Sequence, residues 1–241
     1  MEALILAAGK GSRLGKLTKD TPKSLLKLDS GKTILETSIS CMYNLGVKKF
    51  IVICGFQAHL IEEECLKIME IHDLCIQCIY NPFWDSCNVL GSTFLGLPHL
   101  KDNFLFLHAD TLFREEILKD ILNSSYSNIL SINKKKVGNE EMKIWTENGK
   151  LYRISKDGDN TTAFGEFTGL AKFNFQSIAL FNRKIREISK SEGHLNYYME
   201  EVLQRDLEGN SELNLKFEFF EGLKSIEVDF EEDYSIAKNN F

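Results

Sequence analysis

Six apolar residues, Ala3 to Ala8, run without a break and empty directly into a glycine-rich segment, so that Leu4 to Leu28 reads LILAAGKGSRLGKLTKDTPKSLLKL. A run this short and this uniformly apolar predicts a buried strand. The glycine-rich segment after it predicts a phosphate cradle. Gly9, Gly11 and Gly15 allow backbone conformations that bring peptide N–H groups close to an anion, and Arg13 and Lys23 add fixed positive charge. Arginine grips phosphate oxygens with a fork of donors, whereas lysine acts as a point charge.

Spacing excludes two familiar glycine loops. A dinucleotide fingerprint needs its third glycine where Leu14 stands, and a P-loop needs Ser or Thr after Gly-Lys, whereas Gly15-Lys16 is followed by Leu17. The glycines alone are equally compatible with an ordinary turn after a buried strand. The trailing Pro22-Lys23 tips the reading toward a phosphate site.

Any anionic ligand must be met by these local cations, because the chain as a whole is acidic. A formal net charge of −6 over 241 residues, with the acids spread rather than bunched, leaves no electrostatic footprint for nucleic acid or an anionic membrane. A chain of this length buries roughly 70–75% of its unfolded surface and is expected to form one domain, residues 1–241, with a small insertion over about 134–175. Glu2 stands where a signal peptide would carry basic residues, and the apolar run is too short to span a membrane, so cytoplasmic residence is expected. The six cysteines all precede residue 88 and read as buried, reduced thiols. Cys75 and Cys78, three apart on a strand, face opposite sides and have no second pair to complete a zinc site.

The rest of the chain alternates. Thr33 to Leu45 reads as an amphipathic helix stopped by Gly46, Lys49 to Cys54 as a strand, Ala58 to about Ile71 as a helix, and Cys75 to Tyr80 as a strand. Asn103 to His108 is a further strand, with a helix expected from Thr111 to about Asn123 and a strand from Asn128 to Asn133. This order predicts an α/β doubly wound, mostly parallel sheet with helices on both faces. The grammar then changes: Asn148-Gly149 predicts a hairpin between Met142–Thr146 and Lys150–Ser155, a small antiparallel side layer. A surface loop from Lys156 to Thr162 leads to a strand at Thr168–Phe173, helices at Ser177–Lys190 and Tyr197–Asp206, strands at Lys216–Phe220 and Ser225–Val228, and a closing helix at Glu231–Lys238.

Ligands of open parallel sheets gather at the carboxyl ends of strands. Asp110 lies just past the apolar run Phe104 to Leu107, and Asp229 ends the run Ser225 to Val228. Two such carboxylates beside a phosphate loop suit Mg²⁺, which takes one or two carboxylates together with phosphate oxygens and water. Taken singly, each reads more readily as the N-cap of the helix that follows it. His108 reads as a strand-end residue packed beside Asp110, and His59, His72, His99 and His194 show no catalytic pattern.

The run from Leu4 to Leu28 resembles the signature of the sugar-phosphate nucleotidyltransferase, or pyrophosphorylase, superfamily, in which glycine loop, arginine and Pro-Lys occur in this order. The resemblance extends through Asp110, Gly165-Glu166-Phe167-Thr168-Gly169-Leu170, Tyr197-Tyr198 and Val228-Asp229. The Gly-Glu-Phe block and Asn81-Pro82 to Asn88 look most like the small cytidylyltransferases of the phosphocholine and 2-aminoethylphosphonate type. It implies a Rossmann-like nucleotide-diphospho-sugar transferase fold. It also implies Mg²⁺-dependent transfer of CMP from CTP to a small phosphorylated, amine-containing acceptor, in surface polysaccharide or lipid decoration. Sugar-1-phosphate transfer from UTP or dTTP, a phosphorylated amino acid such as phosphoglutamine as acceptor, and a noncatalytic nucleotide sensor stay open, as does a homodimer.

Carried over residue by residue, the resemblance implies that Ala7, Ala8, Gly9, Gly11, Ser12 and Arg13 hold the nucleotide, with Arg13 on the β- and γ-phosphates. Lys23 would touch the α-phosphate and the acceptor, and Lys23, Arg13 and Asp110 form the catalytic set. Asp110 and Asp229 would hold the metal, and Asn81, Asn88 and Ser92 would line the base, ribose or acceptor side. Glu166 and Tyr197 would face the acceptor. The chain departs from the superfamily pattern at His108, where an acid is common, at Lys224-Ser225, where a tryptophan is common, and at Asp85 to Ser92, which lacks paired asparagines.

Overall fold

In the computed structural model, residues 1–190 and 196–241 are described; His194 lies outside them. In chain order the elements are β1 (Glu2–Ala7), α1 (Ile34–Asn44), β2 (Lys49–Cys54), α2 (Ala58–Ile71), β3 (Cys75–Tyr80), α3 (Val89–Gly96), β4 (Phe104–His108), β5 (Thr111–Phe113), α4 (Glu115–Asn123) and β6 (Ile129–Asn133). Next come β7 (Lys143–Glu147), β8 (Lys150–Ser155), β9 (Gly165–Phe173), α5 (Ser177–Ile188), α6 (Glu200–Glu208), β10 (Lys216–Phe220), β11 (Ser225–Glu227) and α7 (Glu231–Asn240).

The main sheet has the order β10-β6-β9-β4-β1-β2-β3. Strands β4, β1, β2 and β3 are mutually parallel, and β10 is parallel to β6, while β9 runs antiparallel between β4 and β6. The hairpin β7–β8 attaches to the edge of β9, and β5 and β11 form a separate antiparallel pair. The mixed, mostly parallel sheet with an antiparallel side layer is the expected class.

Two apolar layers cover the sheet. Leu35, Ile39 and Met42 of α1, Ile61 and Ile68 of α2, and Ile117, Leu118 and Ile121 of α4 bury one face. Leu90 of α3, Leu180, Phe181 and Ile185 of α5, and Val202 and Leu203 of α6 bury the other. At roughly 1.5–3 kcal/mol for each fully buried large aliphatic or aromatic side chain, these layers are the main source of cohesion. A smaller cluster joins Leu14, Leu28, Leu112, Val228 and Ala237, tying the first loop to α7. Among the described residues no helix is long and apolar enough to cross a membrane.

Three local expectations need correction. Thr111 does not open a helix: Thr111–Phe113 is β5, because these β-prone residues pair with Ser225–Glu227 more than a hundred positions later, and α4 begins at Glu115. The helix α3 has no counterpart in the sequence reading, since its residues VLGSTFLG carry no polar face to give a period. The helix expected from Tyr197 starts at Glu200.

Candidate active site

β1 lies between β2 and β4, so the loop leaving β1 opens where the strand order reverses, at the carboxyl ends of the parallel strands. Gly11 sits in the left-handed region at φ 67°, and a Cβ on it would come within 2.8 Å of Lys23 Cβ. Only glycine lets the loop lie this close to the lysine. Thr18 Oγ1 donates to the Gly11 carbonyl at 2.7 Å and holds the turn. Pro22 precedes a single turn, Lys23–Leu25, that aims Lys23 inward.

Lys23 Nζ lies 2.6 Å from Asp110 Oδ2 and 2.8 Å from Asp229 Oδ1. Burial works against its charge, but attraction to Asp110 and Asp229 and the hydrogen bonds to both raise its pKa above the usual lysine range. Against the same desolvation, Lys23 holds the Asp110 carboxyl below its ordinary range. Arg13 forms an ion pair with Asp229 at 2.8 Å and reaches Glu140 at 3.4 Å, its guanidinium lying 5.6 Å from the Phe230 ring centre. Neither aspartate is a helix cap: α4 has Arg114 in that position, and at α7 the Asp233 carboxylate accepts from the Asp229 and Phe230 N–H groups.

Glu227 is a member of the cluster that the sequence reading misses. It stands two residues before Asp229, opposite Thr111 in the β5–β11 pair, and strand alternation is the signal that could have found it. Burial, then repulsion from Asp110 and Asp229, pushes its carboxyl well above the usual range. His108, Asp110 and Glu227 each offer a ligand atom within 4.8 Å of the others. Asp110 Oδ1 is buried without a hydrogen-bond partner among the described residues. A hard divalent cation fits this set through its carboxylates. Asp229, expected beside Asp110 in that role, has both oxygens engaged by Arg13 and Lys23.

The groove over this cluster has two connected parts. One, of about 370 Å³, is lined by Ala7, Gly9, Gly11, Ser12, Arg13 and Lys23, among others. The other, of about 200 Å³, includes Ala8, Trp84, Asn88, Ser92, His108 and Phe167. Lys156, expected in a surface loop, lines both parts and sits 4.6 Å from the Tyr198 ring centre. Asn88 caps α3, its side chain accepting from Val89 N–H at 2.8 Å.

Two expected contacts fall elsewhere. Asn81 is 1% exposed and does not line the groove: its amide donates to Ser92 Oγ at 3.0 Å and its carbonyl accepts from Phe83 N–H at 2.9 Å, so it supports the wall from behind. Tyr197 packs onto the core cluster that contains Leu90, and it is the neighbouring Tyr198 that faces the groove.

Glu166 and Phe167 point to opposite faces of β9, as alternation requires. Phe167 lines the groove, whereas Glu166 lines an adjoining cavity of about 610 Å³ that shares Glu140, Glu227 and Asp229 with it. There Lys135 meets Glu166 at 2.8 Å. Burial pushes the Glu166 carboxyl up despite Lys135. Trp145 offers no aromatic face to the groove, being buried with its indole N–H donating to Thr162 Oγ1.

Known proteins resemble the chain over most of its length. The chain is 26% identical over 230 residues to the 2-aminoethylphosphonate cytidylyltransferase of Lancefieldella rimae, covering 94% of this chain and 87% of that protein. It is 25% identical over 235 residues to the CTP:phosphoglutamine cytidylyltransferase of Campylobacter jejuni, covering 86% and 88% respectively. The solved structure of CTP:phosphocholine cytidylyltransferase from Streptococcus pneumoniae superposes with a TM-score of 0.78 at 20% identity, covering 99% of this chain and 97% of that one, a likeness of fold. Residues 3–142, which carry the glycine loop, Lys23 and Asp110, match the MobA-like NTP transferase domain, and the chain belongs to that family of nucleotidyltransferases.

Proposed function

We propose that the protein transfers a cytidylyl group from CTP to a phosphate oxygen of a small phosphorylated amine, releasing pyrophosphate, in the cytoplasm and in service of surface polysaccharide or lipid decoration. The observation that carries this is the meeting of Lys23 with Asp110 and Asp229 beneath the Gly9–Arg13 loop. The relatives named for cytidylyl transfer cover most of the chain and support the base preference.

An acceptor phosphate oxygen forms a bond to the α-phosphorus, and the bond from that phosphorus to the leaving pyrophosphate oxygen breaks. The nucleophile is already anionic, so no strong general base is required. Catalysis then rests on position and charge. Lys23, held by two carboxylates, sits where the α-phosphate charge grows, and Arg13, partly exposed, turns from Asp229 and Glu140 onto the β- and γ-phosphates. Lys156 supplies a further cation at the junction of the two groove parts, on the acceptor phosphate. Asp110 and Glu227 would hold a divalent cation, Mg²⁺ in our reading, with Asp229 free to join them once Arg13 has turned, and the cation would neutralise phosphate charge.

The test is pyrophosphate release with each of CTP, UTP, dTTP and ATP, crossed with phosphorylated amines and sugar 1-phosphates, with Mg²⁺ and with a chelator. CTP with a phosphorylated amine should dominate and should need the metal. Silence with every pair would overturn the reading, and preference for UTP or dTTP with a sugar 1-phosphate would replace it.

A further inference from the structure

Glu200 opens α6 at the inner end of the groove and is 2% exposed. Neither of its carboxylate oxygens has a hydrogen-bond partner among the described residues. Burial dominates and pushes the carboxyl above the usual range, although His108, its own backbone N–H and Lys156 favour the charged form. His108 Nε2, at 3.9 Å, is too far to bond and is itself without a partner among the described residues. Acceptors buried in this way normally find partners, and their lack of one marks a place that a ligand completes.

The surroundings say what kind of ligand. Glu200 lines the same groove as Trp84, Phe167 and Tyr198, so a carboxylate and aromatic side chains share one small cavity. Aromatic faces and a carboxylate are the chemistry that recognises an ammonium group. Glu166, by contrast, is already paired with Lys135 and opens into the other cavity. His108 is packed edge-on to Phe106 and backed by Gly169, where a Cβ would come within 2.9 Å of the ring, so its place is fixed. That ring lies 3.9 Å from Glu200 and within 4.8 Å of carboxylate oxygens of Asp110 and Glu227, so Glu200 stands beside the candidate metal cluster.

We infer that Glu200 is the acceptor-specificity residue, its buried carboxylate receiving the acceptor's ammonium group among the Trp84, Phe167 and Tyr198 side chains. The inference rests on the proposed cytidylyl transfer and names the part of the site that selects the acceptor.

The test compares phosphoethanolamine with its neutral isostere, 2-hydroxyethyl phosphate, in wild type, Glu200→Gln, Glu200→Asp and Glu166→Gln, all under CTP and Mg²⁺. Wild type should favour the amine by about tenfold or more in kcat/KM. Glu200→Gln should lose that preference through the acceptor KM while the KM for CTP stays within about twofold, and Glu200→Asp should restore part of it. A wild type indifferent to the amine, or an unchanged preference in Glu200→Gln, overturns the assignment. So does loss of the preference in Glu166→Gln with Glu200→Gln unaltered, which moves the role to Glu166. If Glu200→Gln fails to fold, the preference in Glu200→Asp decides, since a shortened carboxylate must weaken a contact made to the amine. Absence of pyrophosphate release with every acceptor overturns the transferase reading itself.

Discussion

Lys23 and Asp110 meet at 2.6 Å although one stands behind a proline in the first loop and the other two residues past β4. The pair joins the phosphate cradle to the carboxylate cluster, so the cation and the metal-binding groups share one rigid support. Asp229 completes the link from the far end of the chain, at 2.8 Å from the same ammonium group.

Replacing Lys23 with alanine should therefore do more than remove one contact. It leaves Asp110, Glu227 and Asp229 facing one another with less positive charge between them, and the free protein should lose roughly 1–3 kcal/mol of stability at pH 7. Turnover should fall about a hundredfold to a thousandfold, as expected for removal of one preorganised group acting on the reacting phosphate. Steady-state pyrophosphate release and thermal melting check both, and full activity in the variant would dismiss the catalytic role of Lys23.

The two glycines of the loop should behave oppositely. Gly11→Ala puts a Cβ at positive φ against Lys23 and should cost about 1–3 kcal/mol while displacing that side chain. At Gly9 a Cβ meets nothing within 4 Å, so Gly9→Ala should change stability by less than about 0.5 kcal/mol. Gly9 nevertheless lines both groove parts, and its new methyl group should raise the KM for CTP. Melting temperatures and CTP kinetics for the two variants separate the effects.

How much of this is legible in the sequence depends on whether the deciding contact is local. The buried strand, its glycine loop and Asp110 stand close enough to apolar runs for pattern alone to place them at strand ends. The role of Asn81 cannot be read, because nothing in Asn-Pro-Phe-Trp tells whether an amide faces a ligand or supports Ser92 from behind. Tyr197 and Tyr198 are adjacent, and a shift of three residues in the start of α6 separates the expected helix from the observed one. Glu200 is invisible for another reason: glutamate is almost never fully buried without a partner, so no sequence rule proposes it. Glu227 is different again, since its alternation with Asp229 on a short strand is enough to place both on one face.

Glu227 gives a prediction with a definite sign. Its folded-state pKa is raised above the unfolded value, so it imposes no cost below the unfolded pKa, and the cost grows as pH climbs and is complete above the folded pKa. Glu227→Gln should consequently melt higher than wild type at pH 8, with the difference shrinking toward zero near pH 4. The same variant should lose most of the stabilisation that Mg²⁺ with CTP confers on wild type, because ligands that bind the folded state raise its melting temperature. Melting curves across pH, with and without Mg²⁺ and CTP, measure both effects, and a variant less stable than wild type at pH 8 would contradict the first.

Lys143 offers a structural counterpart outside the phosphate site. It is 1% exposed at the start of β7, and its ammonium group donates to the carbonyls of Asn139, Glu141 and Lys156, at 3.3, 3.3 and 2.5 Å. One side chain thereby fastens the loop that carries Glu140 and Glu141 to the end of β8, where Lys156 enters the groove. Lys143→Met keeps most of the volume and removes the donors, leaving those carbonyls without their shared partner. Stability should fall by roughly 1.5–3 kcal/mol, the range for hydrogen bonds made by a charged group. Because Lys156 and Glu140 lose their common anchor while the glycine loop does not, the acceptor KM should rise more than the KM for CTP. Equal rises in both, or an unchanged melting temperature, would show that this lysine does not hold the acceptor side together.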